Sequence, residues 1–133
     1  MDKTRVKASF IMEGEELNPE YVTQVLDLTP TKSWHKDEVY KKNKKRVCGS
    51  WILSIDFEES YDIMIQIDKL CSYIKGKEEK IKLIKDKYCG IIVVSIVVEV
   101  ENQEVPGIII KDKMSKLMAN IEADIDIDIY LMS

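Results

Sequence analysis

A chain of 133 residues with 45% apolar and 33% charged side chains is long enough to bury one core, and too apolar for a disordered tail. Its net charge of −4 argues against general nucleic-acid binding, which usually brings a clear basic excess. Cys48, Cys71 and Cys89 form no C-x-x-C pair, Met1 to Arg5 opens no recognisable secretory leader, and no apolar run reaches the ~18 residues of a membrane span. A cytoplasmic domain without disulfides or a membrane segment is therefore expected.

The first element is a strand, with Val6, Ala8, Phe10 and Met12 alternating with Lys7, Ser9 and Ile11 and stopping near Gly14. Asn18-Pro19-Glu20 then starts a helix. Asn caps the free amides, Pro needs no donor in the first turn, and Glu complements the positive end of the helix. Val22, Val25 and Leu26 share its apolar face, and it ends before Thr29-Pro30. Thr31 to Gly49 is the least regular part and reads as a long loop. Its seven basic residues against Asp37 and Glu38 give a local +5, so the rest of the chain carries −9.

Ser50 to Phe57 is a second strand, with Trp51, Leu53, Ile55 and Phe57 expected on one face. Ser60 is the expected cap of a helix striped by Ile63, Ile67, Leu70, Cys71 and Ile74, which Gly76 ends. Lys77 to Tyr88 continues as a second helical piece. Gly90 to Val100, β-branched almost throughout, is the central strand. One of its faces (Ile92, Val94, Ile96, Val98, Val100) belongs under helices, and the other is only partly covered. After a turn at Asn102 to Pro106, Gly107 to Ile110 reads as a fourth strand in a hairpin with the third. Asp112 is the expected cap of a last helix carrying Met114, Leu117, Met118 and Ile121. Ala123 to Met132 closes the chain with the sharpest alternation of all. There Ile125, Ile127, Ile129 and Leu131 face one way, and Asp124, Asp126, Asp128 and Tyr130 the other.

Strands interspersed with helices predict a single α+β domain over residues 1–133. Its sheet is mixed and mostly antiparallel, of about five strands, with three to four helices on one face and a loosely ferredoxin-like layout.

Leu26-Asp27-Leu28-Thr29-Pro30-Thr31, Trp34-His35-Lys36, the basic segment and Trp51-Ile52-Leu53 together resemble the bacterial family known as domain of unknown function 4279. Its members are also similar near the end, at Gly107-Ile108-Ile109-Ile110, Lys116-Leu117-Met118 and Asp128-Ile129-Tyr130. The resemblance covers nearly the whole chain through structural motifs, and implies a small α+β domain of the bacterial cytoplasm with no established activity. Where the family commonly has Gly shortly after the first Trp, this chain has Asp37.

Two constellations are candidates for binding. Asp124, Asp126 and Asp128 project from one face of a strand about 7 Å apart. They could hold a hard cation such as Mg²⁺ or Ca²⁺, but a flat strand cannot converge them on one ion without help from other elements, and the Gly and closing Glu of a calcium loop are missing. The stripe reads instead as a solvated face that discourages edge pairing, or as an acidic partner surface. The second candidate is Trp34, Lys36, Lys44, Lys45 and Arg46, with Tyr40 and Trp51 nearby. Interleaved cations and aromatics suit either a solvated loop, an acidic protein or a phosphate backbone. His35 is the only histidine, and Cys48, beside Arg46, has the most plausible route to a lowered pKa. No catalytic set, metal or cofactor is expected.

The expected function is a non-enzymatic binding protein, in its most concrete form an immunity-type protein that occludes a toxin or other partner protein. The alternative is a nucleic-acid or anion binder using the Trp-flanked basic loop. Ile52, Ile91 and Val93, apolar on the less covered face, leave a homodimer open.

Overall fold

The computed structural model describes residues 2–132. Chain order is β1 (Arg5–Gly14), α1 (Pro19–Leu26), β2 (Lys32–Trp34), β3 (Val39–Lys41), β4 (Lys44–Lys45), β5 (Gly49–Glu59), α2 (Ile63–Ile74), α3 (Glu78–Tyr88), β6 (Ile91–Val100), α4 (Asp112–Ile121) and β7 (Asp124–Leu131). Five strands form one sheet in the order β2-β5-β1-β6-β7, and β3 and β4 form a small hairpin of their own. Only β6 and β7 run parallel, joined by a crossover through α4; every other pairing is antiparallel.

The α+β class and the mostly antiparallel sheet are as the sequence reads. The four long strands lie in the order second, first, third, fourth, which departs from the ferredoxin-like layout. The fifth strand is also not the expected one. Gly107 to Ile110 forms no strand; Gly107 makes only an isolated bridge to Asp62, because the turn through Asn102 and Gln103 carries the chain over the start of α2 instead of back along β6. The place at the sheet edge goes to Lys32–Trp34, inside the segment that reads as a loop.

The core lies between one sheet face and the helices. Val6, Ala8, Phe10 and Met12 from β1 meet Ile92, Val94, Ile96, Val98 and Val100 from β6, all buried, beneath Ile63, Ile67, Leu70 and Ile74 of α2 and Ile81 and Ile84 of α3. Trp51 is fully buried, edge-on to Phe10 with ring centroids 6.3 Å apart, and its indole N–H donates to Thr23 Oγ1 at 2.9 Å. Burying a tryptophan is tolerable only with such a partner.

Three local expectations need correction. Phe57 is not on the core face. Between Val6 and Ala8 the register of β1 against β5 advances by one extra residue in β5, a bulge that turns Phe57 outward and Glu58 inward. Asp56 accepts a hydrogen bond from the Phe57 amide there at 2.8 Å. At α2 the cap is Asp62, which accepts from the Met64 amide, while the Ser60 hydroxyl accepts from the Asp62 amide. In α4, Asp112 is the first helical residue rather than the cap, so it acts on the positive helix end by charge alone. Asn18 caps α1 as expected, accepting from the Glu20 amide at 3.0 Å.

Candidate functional site

All the helices lie on one side, and the other face of the sheet is covered only at its Glu13 end, where Ser50 is fully buried and Glu13 shares a pocket with Trp34, Tyr40 and Arg46. The registers place Lys32, Ile52, Ile11, Val93 and Asp124 in one row across all five strands. The next row is Ser54, Ser9, Ser95 and Asp126, with the Ser9 and Ser54 hydroxyls 2.7 Å apart. Lys7, Val97 and Asp128 follow, beside the outward-turned Phe57. Its ring lies 4.5 Å from the Arg5 guanidinium and 5.8 Å from the Lys7 ammonium. Arg5 also pairs with Glu99, to which its Nε donates at 3.1 Å. This cationic cover over Phe57 has no signature in the sequence, because only the bulge brings the three residues to one face.

Asp124, Asp126 and Asp128 are thus on the uncovered face of β7, exposed, at the sheet's outer edge. Their neighbours on β6 are Val93, Ser95 and Val97, so no lysine from the adjacent strand offsets their mutual repulsion. Among the described residues no group of three His, Cys, Asp or Glu side chains is placed to hold a metal ion. The other side of β7 is open except at Ile127, which packs against the core. Ile125, Ile129 and Leu131 are 37%, 48% and 80% exposed, since the helix layer ends before it reaches this strand. Among the described residues nothing pairs with the outer main chain of β7.

The basic segment is ordered around Arg46. Its guanidinium lies 3.7 Å from the centroid of Trp34 and 4.0 Å from that of Tyr40, a plate between two aromatic faces. Backbone bonds from Arg46 N to Glu38 O (2.9 Å) and from Asp37 N to Arg46 O (2.8 Å) close the base of the β3–β4 hairpin. Lys36 donates to Glu15 at 2.8 Å and to Glu16 at 3.1 Å. These bonds raise its pKa, and Lys36 in turn holds Glu15 below the usual carboxylate range. His35 Nε2 stands 2.7 Å from Glu20 Oε1, a contact that lowers the Glu20 pKa. So Trp34, Lys36 and Arg46 are engaged within the molecule, whereas Lys44 and Lys45 are exposed on β4, which belongs to the separate β3–β4 hairpin. The segment is tied to the rest of the chain where Lys36 meets Glu15 and Glu16 and where His35 meets Glu20 of α1, contacts that no local pattern announces.

The environments of two thiols are set by their burial and neighbouring charges. Burial first, then Glu13, raises the Cys48 pKa, and Arg46 only opposes this, contrary to the expectation of a lowered value. Cys71, half-buried in the cleft between α2 and α4, is pushed up to about 11, mainly by burial and then by Asp68. That cleft also presents Asp68, Glu78, Lys75, Lys113, Met114 and Leu117, a lining of both charge signs and apolar groups. No helix is long and apolar enough to cross a membrane among the described residues.

Compared with known proteins, residues 3–132 match the model of a family described as a domain of unknown function (DUF4279). No curated protein and no solved structure matches the chain.

Proposed function

The chain belongs to the DUF4279 family, and we propose that within it this protein is a non-enzymatic protein-binding domain, in its most concrete form an immunity-type protein that occludes a toxin. One observation carries the reading. β7 is an eight-residue edge strand with an unpaired outer main chain, three carboxylates on one face and half-exposed aliphatics on the other. A long, flat, partly apolar edge is a liability unless something covers it or charge protects it. The three aspartates supply the protection, and they also suit a basic partner surface, where complementary charge speeds encounter and selects the partner.

The nucleic-acid alternative is less well supported. Its stacking platforms would be Trp34 and Tyr40, and Arg46 already occupies a face of each. The test uses the native host. A neighbouring gene whose product alone arrests growth should be neutralised by co-expression of this chain, and neutralisation should fail when Asp124, Asp126 and Asp128 are all changed to Lys. The reading is overturned if no host protein binds the chain, if the triple variant neutralises equally well, or if the purified chain turns over a substrate.

A further inference from the structure

We infer that the uncovered sheet face is the interface of a symmetric dimer, with a second copy of this chain stacked on it and the two-fold axis running along β1. The inference goes beyond the partner-binding reading and stands without it; in the dimer Asp124 faces the second copy, which leaves Asp126, Asp128 and the outer edge of β7, beyond the three-residue β2, for a partner. Its basis is the row Lys32–Ile52–Ile11–Val93–Asp124, which reads cation, aliphatic, aliphatic, aliphatic, carboxylate across the sheet. β1 is the middle strand, with two strands on each side. Rotation about an axis along β1 reverses the row on the facing copy. Ile11 then meets Ile11 of the second copy, Ile52 meets Val93, and Lys32 meets Asp124, the last two contacts occurring twice because the interface is isologous.

The charge distribution selects this axis over the other in-plane choice. A two-fold axis across the strands would place β7 over β7 and bring six aspartates together, a like-charge juxtaposition that costs affinity. Rotation along β1 instead sets the acidic β7 edge over the β2 edge. It also carries the β3–β4 hairpin, with Lys44 and Lys45, to the end of the second copy's β7 where Glu122 and Asp124 lie. The hairpin stands at the matching end of the sheet, since Glu13 pairs with Ile91 and shares a pocket with Trp34, Tyr40 and Arg46.

Size and composition agree. Four strands of roughly eight residues and the three-residue β2, at about 4.8 Å spacing and about 3.3 Å rise, make a footprint of roughly 550 Å². Two such faces total roughly 1,100 Å², just under the standard stable range and above the roughly 1,000 Å² that a specific contact should clear. Ile11, Ile52, Val93 and Val97 are half-buried by sheet neighbours alone, and Ile91 is 52% exposed. The product is a four-layer stack with the two sheets inside and the helices outside, the usual way to dry both faces of a sheet.

Sedimentation velocity on the purified chain, over a concentration series at low and high salt, tests this. Expected is a species of twice 15.4 kDa, with dissociation promoted by salt. Asp124→Lys should raise the dimer dissociation constant at least about tenfold, and Asp124→Lys with Lys32→Asp should restore it. Ile11→Asp sets two carboxylates on the axis and should leave a folded monomer, checked by an unchanged circular dichroism spectrum and the buried-Trp51 emission. A wild-type monomer throughout the series overturns the inference, as does a double swap that stays dissociated. A folded Ile11→Asp variant that still dimerises also overturns it, and places the contact at the β7 edge instead.

Discussion

Replacing Arg46 asks whether the basic segment is held by charge or by shape. The guanidinium touches two aromatic faces at 3.7 and 4.0 Å. At partly exposed sites each such contact contributes about 0.5–1 kcal/mol, so together they stabilise the hairpin by about 1–2 kcal/mol. Arg46→Ala removes both, and Arg46→Lys keeps the charge but replaces the flat plate with a compact ammonium that cannot stack on two rings at once. Because β3 and β4 pair only with each other, the loss should be local. The amides of Asp37 and residue 46, which bond to Arg46 O and Glu38 O, are the reporters. Their native-state hydrogen exchange, followed by NMR, should speed up roughly tenfold or more in both variants while the global unfolding midpoint barely moves. A double-mutant cycle with Trp34→Leu should return a coupling of about 0.5–1 kcal/mol. If Arg46→Lys exchanges like the wild type, or if the two substitutions are additive, the stacking account fails and the hairpin is held by its backbone bonds alone.

Further expectations follow from backbone and pH. A Cβ at Gly49 would lie 2.0 Å from the Leu17 carbonyl oxygen, so Gly49→Ala must displace either β5 or the Gly14–Leu17 turn. A loss of about 2–3 kcal/mol in urea unfolding is expected, and a neutral result would show that the turn is soft. Asp37 sits at φ +68, a left-handed conformation that favours glycine. Asp37→Gly should therefore stabilise the hairpin by up to about 1 kcal/mol, read as slower exchange of the Arg46 amide. Glu58, turned inward by the bulge, is bonded by Lys69 at 2.6 Å and by Gln66 at 3.0 Å, and both bonds lower its pKa. A depressed folded-state value contributes stability above the unfolded carboxylate pKa of about 4.3, and that stability is lost as pH falls through the folded value. Glu58→Gln should flatten this acid limb in chemical unfolding at stepped pH, and an unchanged limb would show that the pair contributes nothing.

Much of this molecule was decided by periodicity. The alternation in β1, β6 and β7 and the stripes of α1 to α4 are local signals, because a strand or helix buries a fixed set of positions whatever it packs against. Asn18 as a cap and Gly76 as a breaker are legible for the same reason. The DUF4279 resemblance, read from Trp34-His35-Lys36 and the closing strand, holds across nearly the whole chain. The stripe Asp124, Asp126 and Asp128 could also be placed on one strand face from its spacing. What the spacing could not say is that β7 lies at the edge, which left Ile125, Ile129 and Leu131 exposed and only Ile127 packed against the core.

The remainder needed the fold, because it depends on which distant segments meet. The bulge opposite Lys7 turned Phe57 to the open side and Glu58 to the helices, and a one-residue slip carries no composition signal. Strand order set Lys32 and Asp124 at opposite ends of one row, and closure of the β3–β4 hairpin brought Arg46 between Trp34 and Tyr40. Side-chain identity along the chain thus determined which surfaces are greasy and which are charged. The three-dimensional arrangement determined which of them share a face, because pairing register and crossover direction arise from contacts between residues far apart in the chain.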